Sequence, residues 1–114
     1  MVKVNDSLYQ QEIEELTEFV RNDDDWADLR NILIEKQFNL LDTLLVAFAE
    51  DEDEMEYGVL VIREKKVFEY SRSTAVGRNN ASNFNISELT DLNNAFDKHP
   101  QVKIAFRMIE KGKI

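Results

Sequence analysis

The chain has 114 residues, 43% of them hydrophobic, so it is long enough to bury a core of ordinary size and short enough to form one domain. Its 14 basic and 23 acidic residues give a formal net charge of −9, which excludes nucleic acid as the obvious ligand. It has no cysteine and one histidine, which excludes disulfides, thiolate chemistry, iron–sulfur clusters and multi-histidine metal sites.

The apolar stretches of the chain are short. The longest continuous apolar run, residues 44–49, has six members, whereas a helix needs about 20 apolar residues to cross a bilayer. The first residues lack the apolar stretch that is typical of a signal peptide. We therefore expect a cytoplasmic protein with no membrane partner.

Charge is divided unevenly between the two halves of the chain. Residues 1–57 carry four basic and seventeen acidic residues, a balance of −13, whereas residues 58–114 carry ten basic and six acidic residues, a balance of +4. Two dense acidic runs lie in the first half, at residues 23–25 and at residues 50–54, the second followed by Glu56. Such runs repel themselves and are expected in solvent, where a surface of one sign speeds association with an opposite charge.

Two helices are predicted in the acidic half. Ser7 and Gln10 have the spacing of a capping box, which predicts a first helix over residues 7–22. Residues 23–25 are expected to start a second helix that reaches about residue 37, because carboxylates accept the free amide hydrogens of a first helical turn. The residues expected to be buried on these helices recur at spacings of three and four, and they are Tyr9, Ile13, Leu16, Phe19, Val20, Trp26, Leu29, Ile32 and Leu33.

Three strands are predicted in the middle of the chain. The continuous apolar run at residues 44–49 predicts a central strand that is covered on both faces. Residues 55–63 and 66–72 are rich in β-branched and aromatic residues, and we expect them to pair as a hairpin through residues 64–65. Residues 71–85 are mostly Ser, Asn, Gly and Arg, which predicts a long loop.

The last third of the chain predicts two more helices. Ser87 is expected to cap a helix that ends near His99 and Pro100. Residues 101–111 fit both the alternation of a strand and the spacing of a helix. We favour a helix, because Pro100 would then lie near its first turn and Gly112 just after its end.

These elements follow one another in the order ααβββαα. No internal repeat or linker divides the chain, so we predict a single domain over residues 1–114. The fold class is α+β, with helices packed on a small antiparallel sheet.

One charged motif suggests an enzyme. Asp51 and Asp53, followed by Glu64, Lys65 and Lys66 in a Glu-x-Lys pattern, loosely resemble the restriction-endonuclease-like nucleases. The resemblance implies carboxylates that hold magnesium and a lysine that supports the attacking water. In that family the Glu-x-Lys motif lies within a strand, whereas here it falls at the predicted hairpin turn. We therefore predict a surface turn and no enzyme, with a metal-dependent nuclease as the less favoured alternative.

We also predict no metal site and no cofactor. The run at residues 50–54 lacks the alternating ligands and the central glycine of an EF-hand loop. His99 lies at the end of a predicted helix, where the helix dipole favours a histidine, so we expect a capping role for it.

The remaining features suit a small acidic protein that binds a basic protein. We predict an inhibitor of the bacterial immunity or antitoxin type, whose acidic face occupies the basic active-site cleft of a toxin such as a nuclease. The alternative is a non-catalytic adaptor or regulatory subunit, a homo-oligomer that pairs its −13 and +4 halves. The expected anchors are those of Tyr9, Trp26 and Tyr57 that are part-exposed. The carboxylates expected at the interface are those of Glu12, Glu15, Asp23, Asp24, Asp25, Glu50, Asp51, Glu52, Asp53 and Glu54.

Overall fold

The computed structural model describes residues 4–73 and 84–112, with side chains from residue 7 onward. Helix α1 spans Val4–Asn22 and, after a 3₁₀ turn at Asp24–Trp26, α2 spans Ala27–Glu35. A second 3₁₀ turn at Leu40–Asp42 leads into β1 at Thr43–Glu50. The remaining elements are β2 (Met55–Ile62), β3 (Val67–Ser73), β4 (Phe84–Leu89), α3 (Leu92–Lys98) and α4 (Gln101–Glu110).

The four strands form one antiparallel sheet in chain order, β1-β2-β3-β4. Helices pack against this sheet, so the predicted α+β class is confirmed. Within residues 4–73 and 84–112, no helix combines the length and the apolar character that a membrane crossing requires.

Each face of the sheet carries its own buried cluster. Helices α1, α3 and α4 pack on the face that we call the front, and α2 with the end of α1 packs on the back. The front cluster contains Ile13, Leu44, Val46, Val59, Val61, Val67, Ala95, Val102, Ile104, Ala105 and Met108. The back cluster contains Val20, Leu29, Ile32, Leu33, Leu45, Leu60, Tyr70 and Phe84. Neighbouring residues of one strand therefore reach opposite clusters, as Leu60 and Val61 do.

Strand β1 lies at an edge of the sheet, so the prediction of a central strand is wrong. Helix α1 covers this edge: the Leu45 N–H donates to Thr17 Oγ1 over 3.0 Å. One turn further along α1, the Arg21 side chain donates to three carbonyl oxygens, those of Leu40, Leu41 and Thr43. The apolar run of β1 is therefore buried because a helix, rather than another strand, closes its edge.

Strand β4 was not predicted, and the sheet has four strands instead of three. Of the predicted loop at residues 71–85, positions 74–83 lie outside the described residues, and both flanking ends belong to strands. Ser87 lies within β4 rather than at a helix start, and Asp91 caps α3 by accepting from the Asn94 N–H at 3.2 Å. Asn85, Ser87 and Glu88 of β4 are polar and exposed, and they interrupt the apolar alternation that would have indicated a strand.

The other elements follow the sequence more closely. The hairpin between β2 and β3 is confirmed, with Lys65 at φ 64° in its turn. The last segment is a helix, α4, with Pro100 at its N-cap and Gly112 at φ 73° after its end. Helix α1 begins at Val4 instead of residue 7, so the predicted capping box at Ser7 is wrong because Ser7 lies inside the helix.

Candidate functional site

Three aromatic rings form a ladder where α1, the first 3₁₀ turn and β1 meet. The Phe19 ring stacks on the Trp26 ring, with centroids 5.7 Å apart and an interplanar angle of 18°. The Trp26 ring lies 4.6 Å from the Phe48 ring at an angle of 52°. Phe19 is 40% exposed, whereas Trp26 and Phe48 are half-buried. The ladder therefore extends from solvent into the back cluster.

The prediction that Phe19 is buried on α1 is wrong. Ile13, Thr17 and Val20 form the buried face of this helix. Thr17 is polar, so a search for apolar residues at helical spacing leaves it out. The predicted buried face of α1 therefore included Phe19 instead. Because successive helical residues are separated by about 100°, Phe19 lies beside the face that Val20 occupies and reaches solvent.

The first 3₁₀ turn holds Trp26 against both of its aromatic neighbours. Asp23 caps this turn, because its Oδ1 accepts from the Asp25 N–H at 2.8 Å and its carbonyl oxygen accepts from the Trp26 N–H at 3.0 Å. Arg30 Nη2 also donates to the Asp23 carbonyl oxygen, at 2.5 Å. Residues 23–25 therefore begin a 3₁₀ turn and do not start α2, as had been predicted, because α2 starts at Ala27 with Trp26 at its N-cap and no side-chain cap; the side chains of Asp24 and Asp25 remain exposed.

Exposed carboxylates lie on α1 and on the first 3₁₀ turn, the two elements that carry Phe19 and Trp26. Glu12, Glu15 and Phe19 follow one another on α1 at spacings of three and four, which places them along one side of the helix. Glu12 and Glu15 are exposed, and the Glu15 carboxylate accepts from Gln11 Nε2 at 3.4 Å. We call the following set the acidic–aromatic surface: Glu12, Glu15, Phe19, Asp24, Asp25 and Trp26.

The second acidic run forms the turn between β1 and β2. Asp51 Oδ1 accepts from the N–H groups of Asp53 at 2.9 Å and Met55 at 3.1 Å, and its Oδ2 accepts from the Tyr57 hydroxyl at 3.0 Å. The Met55 N–H above all, with the Tyr57 hydroxyl and the Asp53 N–H, lowers the pKa of the Asp51 carboxyl. Asp51 is therefore a turn-stabilising residue, although it is exposed.

Glu50 and Tyr57, both predicted at the interface, lie on opposite faces of the sheet. Glu50 lies two residues after Phe48 on β1 and so shares the back face with it. Tyr57 is 43% exposed but lies on the front face, and its hydrogen bond to Asp51 raises the pKa of its hydroxyl. The remaining members of the run are exposed in the turn, and they are Glu52, Asp53 and Glu54.

Glu56 was grouped with the solvated acidic run, and this prediction is wrong. Its side chain is 2% exposed and accepts from Arg72 Nη2 at 2.9 Å and from the Tyr70 hydroxyl at 2.7 Å. Strands β2 and β3 place Glu56 directly opposite Arg72. Burial first, and then the charge of Glu56, raises the pKa of the Tyr70 hydroxyl well above its usual value.

Gly58 is the sequence signal that points to this buried group. A Cβ atom at Gly58 would lie 2.1 Å from Cε2 of the Tyr70 ring, which packs directly over the glycine. Glycine inside a strand often marks such a close approach. The packing aligns Tyr70 with Glu56, two residues before Gly58 on the same face of β2.

A second polar cluster ties the C-terminal helices to the sheet. His99 caps the end of α3, as predicted, and its Nε2 lies 2.7 Å from Glu69 Oε2 on β3. Lys98 Nζ lies 3.2 Å from the same oxygen. The hydrogen bond with His99, followed by the contact with Lys98, lowers the pKa of the Glu69 carboxyl. The sequence gave no sign that Glu69 is the partner of His99, because the two residues are 30 positions apart.

The structure does not assemble the nuclease-like motif. Asp51 and Asp53 precede β2, whereas Glu64 and Lys66 follow it. The eight residues of β2 separate the two pairs by roughly 26 Å, at about 3.3 Å per residue. In the part of the chain that the structure describes, no three His, Asp or Glu side chains are grouped to hold a metal ion.

Comparison with known proteins gives no relative from which a function could be transferred. No protein-family model matches the chain, and no match was found among curated proteins or solved structures. The fold defines an α+β protein with a four-stranded antiparallel sheet. A fold of this kind does not specify an activity, which depends on the surface and its chemistry.

Proposed function

We propose that this chain is a non-catalytic protein that binds a basic partner protein through the acidic–aromatic surface. In its finer form, the proposal is a cytoplasmic inhibitor of the bacterial immunity or antitoxin type that occupies the basic cleft of a toxin domain. The observation that carries it is Phe19, which is 40% exposed, stacked on Trp26 and flanked by exposed carboxylates.

The aromatic pair has the properties of a binding anchor. Protein interfaces derive most of their affinity from a few residues, often aromatic, that become desolvated at the centre of the contact. Stacking on Trp26 restrains the Phe19 ring before binding, which reduces the conformational entropy that association removes. Phe19 therefore supports affinity, and the half-buried Trp26 supports Phe19.

The carboxylates supply attraction over a longer range. Asp24 and Asp25 are exposed at the start of α2, and Glu12 and Glu15 are exposed on α1. A negative surface of this kind raises the rate of association with a basic protein by roughly 10- to 1,000-fold, and salt weakens the effect. Fast capture suits an inhibitor that has to reach its target before the target acts.

The experiment is affinity capture from the native host at low and at moderate salt, with four forms of the chain. These are the wild type, Phe19→Ala, the pair Asp24→Lys with Asp25→Lys, and the control pair Glu35→Lys with Asp97→Lys. The control pair changes the net charge equally at exposed positions on α2 and α3, outside the acidic–aromatic surface.

We expect the wild type to retain one basic partner that is lost as salt rises. The Asp24 and Asp25 reversal should weaken retention at least tenfold at low salt, Phe19→Ala should weaken it at both salt concentrations, and the control pair should retain the partner. Equal losses from both reversals would show attraction to total charge alone and contradict the proposal. Recovery of only the chain itself, released by salt, would favour the self-associating adaptor instead.

A further inference from the structure

One side of α1 carries apolar residues at its two ends and carboxylates between them. Its residues recur at spacings of four, three and four, and they are Leu8, Glu12, Glu15 and Phe19. We call these four residues the α1 stripe. Because successive helical residues are separated by about 100°, the four side chains leave the helix within about 60° of one another. The α1 stripe is therefore one continuous row along the helix.

The α1 stripe points away from the core. The buried residues Ile13, Thr17 and Val20 lie on the other side of α1, roughly 140° around the helix. Leu8 is 61% exposed and Phe19 is 40% exposed, although both side chains are large and apolar. Single exposed apolar residues are common on protein surfaces, but these two are aligned and enclose two carboxylates. This arrangement is typical of an interaction site rather than of a scattered surface.

The negative charge on this side of α1 is not neutralised within the helix. Its carboxylates accept hydrogen bonds from uncharged amides, in the pairs Gln10–Glu14, Gln11–Glu15 and Asn22–Glu18. Arg21 is the one basic residue of α1, and its side chain donates to carbonyl oxygens of residues 40–43. The charge complementary to the α1 stripe has to come from a partner.

The spacing of the two apolar residues fits a helix in the partner. Leu8 and Phe19 are eleven residues apart on α1, which is about 16.5 Å along the helix axis. A second helix also returns to the same side after eleven residues, so it can place two apolar residues over this distance. A strand covers the distance in about five residues, and residues five apart point to opposite faces of a strand.

We propose that the α1 stripe docks an amphipathic helix of the basic partner. This partner helix carries two apolar residues eleven positions apart, which contact Leu8 and Phe19, and lysines or arginines between them, which pair with Glu12 and Glu15. Two helices that cross at about 20° stay in contact over such a length. The inference rests on the proposed function, because it names the part of the partner that contacts the acidic–aromatic surface.

Charge selects a basic helix over a second copy of this chain. Two copies of α1 packed antiparallel would place Leu8 of each against Phe19 of the other. The same packing would also place Glu12 against Glu15 twice, so that four carboxylates would meet at the centre of the contact. Like charges that face each other suppress a pairing, whereas a basic helix of the same geometry brings opposite charges together.

The first test uses a synthetic helical peptide as the probe. It has two leucines eleven positions apart and lysines at the two intervening positions that match Glu12 and Glu15, with alanine and glutamine elsewhere. Trp26 is the only tryptophan of the chain and stacks on Phe19, so its fluorescence should report binding to the full chain.

The control peptide has the same composition, but its leucines are nine positions apart and so lie on opposite sides of the helix. We expect it to bind roughly tenfold more weakly than the first peptide, because only one leucine can then be buried. Equal affinities, or no binding of the first peptide, would overturn the proposal.

A matched pair of variants tests the apolar end of the α1 stripe. Leu8→Ala should weaken binding of the first peptide roughly tenfold. The control Leu41→Ala removes the same atoms from a residue that is 69% exposed and lies outside the α1 stripe, and it should leave the affinity unchanged. Both positions are exposed, and circular dichroism checks that both variants keep the wild-type helix content. Equal affinities for the two variants would contradict the docking site.

An exchange of charge tests the centre of the α1 stripe. Glu12→Lys combined with Glu15→Lys should abolish binding of the lysine peptide and create binding of a peptide that has glutamates at the two lysine positions. Failure of this exchange to restore binding would overturn the proposed pairing.

Affinity capture separates this inference from the proposed function. Loss of the native partner with both Leu8→Ala and Phe19→Ala is expected. Loss with Phe19→Ala alone would leave the proposed function standing and overturn the docking of a helix along α1, whereas retention by both variants would contradict both proposals.

Discussion

Two tyrosines of the sheet donate a hydrogen bond to a carboxylate, one inside the protein and one at its surface. Tyr70 is 3% exposed and bonds to the buried Glu56 over 2.7 Å, whereas Tyr57 is 43% exposed and bonds to the exposed Asp51 over 3.0 Å. Both carboxylates belong to one acid-rich segment of the sequence. Strand pairing alone separates them, because it places Glu56 opposite Arg72.

The difference between the two tyrosine–carboxylate pairs shows that only part of the formal negative charge is available to a partner. Arg72 neutralises Glu56 inside the sheet, and Asp51 accepts hydrogen bonds from its own turn. The balance of −13 in the first half therefore overstates the charge that a partner would meet. The carboxylates best placed to act at an interface are those of the acidic–aromatic surface.

The largest effect is expected when the charge of Glu56 is removed. Glu56→Gln leaves the buried Arg72 without that opposite charge, and loss of one partner from a buried ion pair lowers the free energy of unfolding by about 3–5 kcal/mol. Urea denaturation measures the change. The control Asp53→Asn alters the exposed turn and should cause no loss of stability. Equal losses from the two substitutions would contradict the burial of Glu56.

Removing a tyrosine hydroxyl should lower the free energy of unfolding by a smaller amount, and the loss should differ between Tyr70 and Tyr57. Tyr70→Phe keeps the ring stacked on Phe84, at 5.0 Å between centroids, but removes the hydroxyl that donates to Glu56. A hydrogen bond to a buried charge is worth about 1.5–3 kcal/mol, which should appear in the same denaturation experiment. Tyr57→Phe should change stability little, because water replaces the lost bond to Asp51. The comparison fails if both substitutions lower stability to the same extent.

The smallest effect is expected in alkaline titration. The pKa of both tyrosines is raised in the folded chain, by the bond to Asp51 for Tyr57 and chiefly by burial for Tyr70. Their contribution to stability is therefore fully present below about pH 10, the usual tyrosine value, and is lost as pH rises through the higher folded pKa. Ultraviolet absorbance should show Tyr57 titrating reversibly and Tyr70 ionising only as the chain unfolds.

Asp51→Asn provides the check on this titration. It removes the carboxylate whose hydrogen bond, and then whose charge, raises the pKa of Tyr57, so that pKa should fall towards its usual value. Tyr70 should titrate as in the wild type, because its carboxylate partner is Glu56. A shift in both tyrosines, or in neither, would contradict the assignment of the two pairs.

Secondary structure was predictable where the local pattern was strong. The helix at residues 101–110 and the hairpin turn at Lys65 follow from proline, glycine and β-branched residues whose preferences are local. Strand β4 was not predictable, because its exposed Asn85, Ser87 and Glu88 dilute the apolar alternation that marks a strand. Its pairing with β3 supplies the hydrogen bonds that the isolated segment lacks.

The candidate site was predictable only in part. Asp24, Asp25 and Trp26 were expected at an interface, and the structure stacks Trp26 on Phe19, which shares one side of α1 with Glu12 and Glu15. The central anchor, Phe19, was assigned to the core instead. That error arose because Thr17 occupies the buried face of α1 that was assigned to Phe19. The burial of Thr17 depends on the Leu45 N–H, a hydrogen-bond partner 28 residues away in the sequence.

By itself, the sequence determined the α+β class, most of the helices, one hairpin and an excess of carboxylates in the first half. These follow from periodicity, capping residues and charge, which act over a few neighbouring residues. Only the tertiary structure decided which edge of the sheet α1 closes, which carboxylate is buried with Arg72, and which aromatic ring reaches solvent. The physical reason is that each of these outcomes depends on hydrogen bonds and packing between residues far apart in the chain, for which sequence spacing holds no local signal.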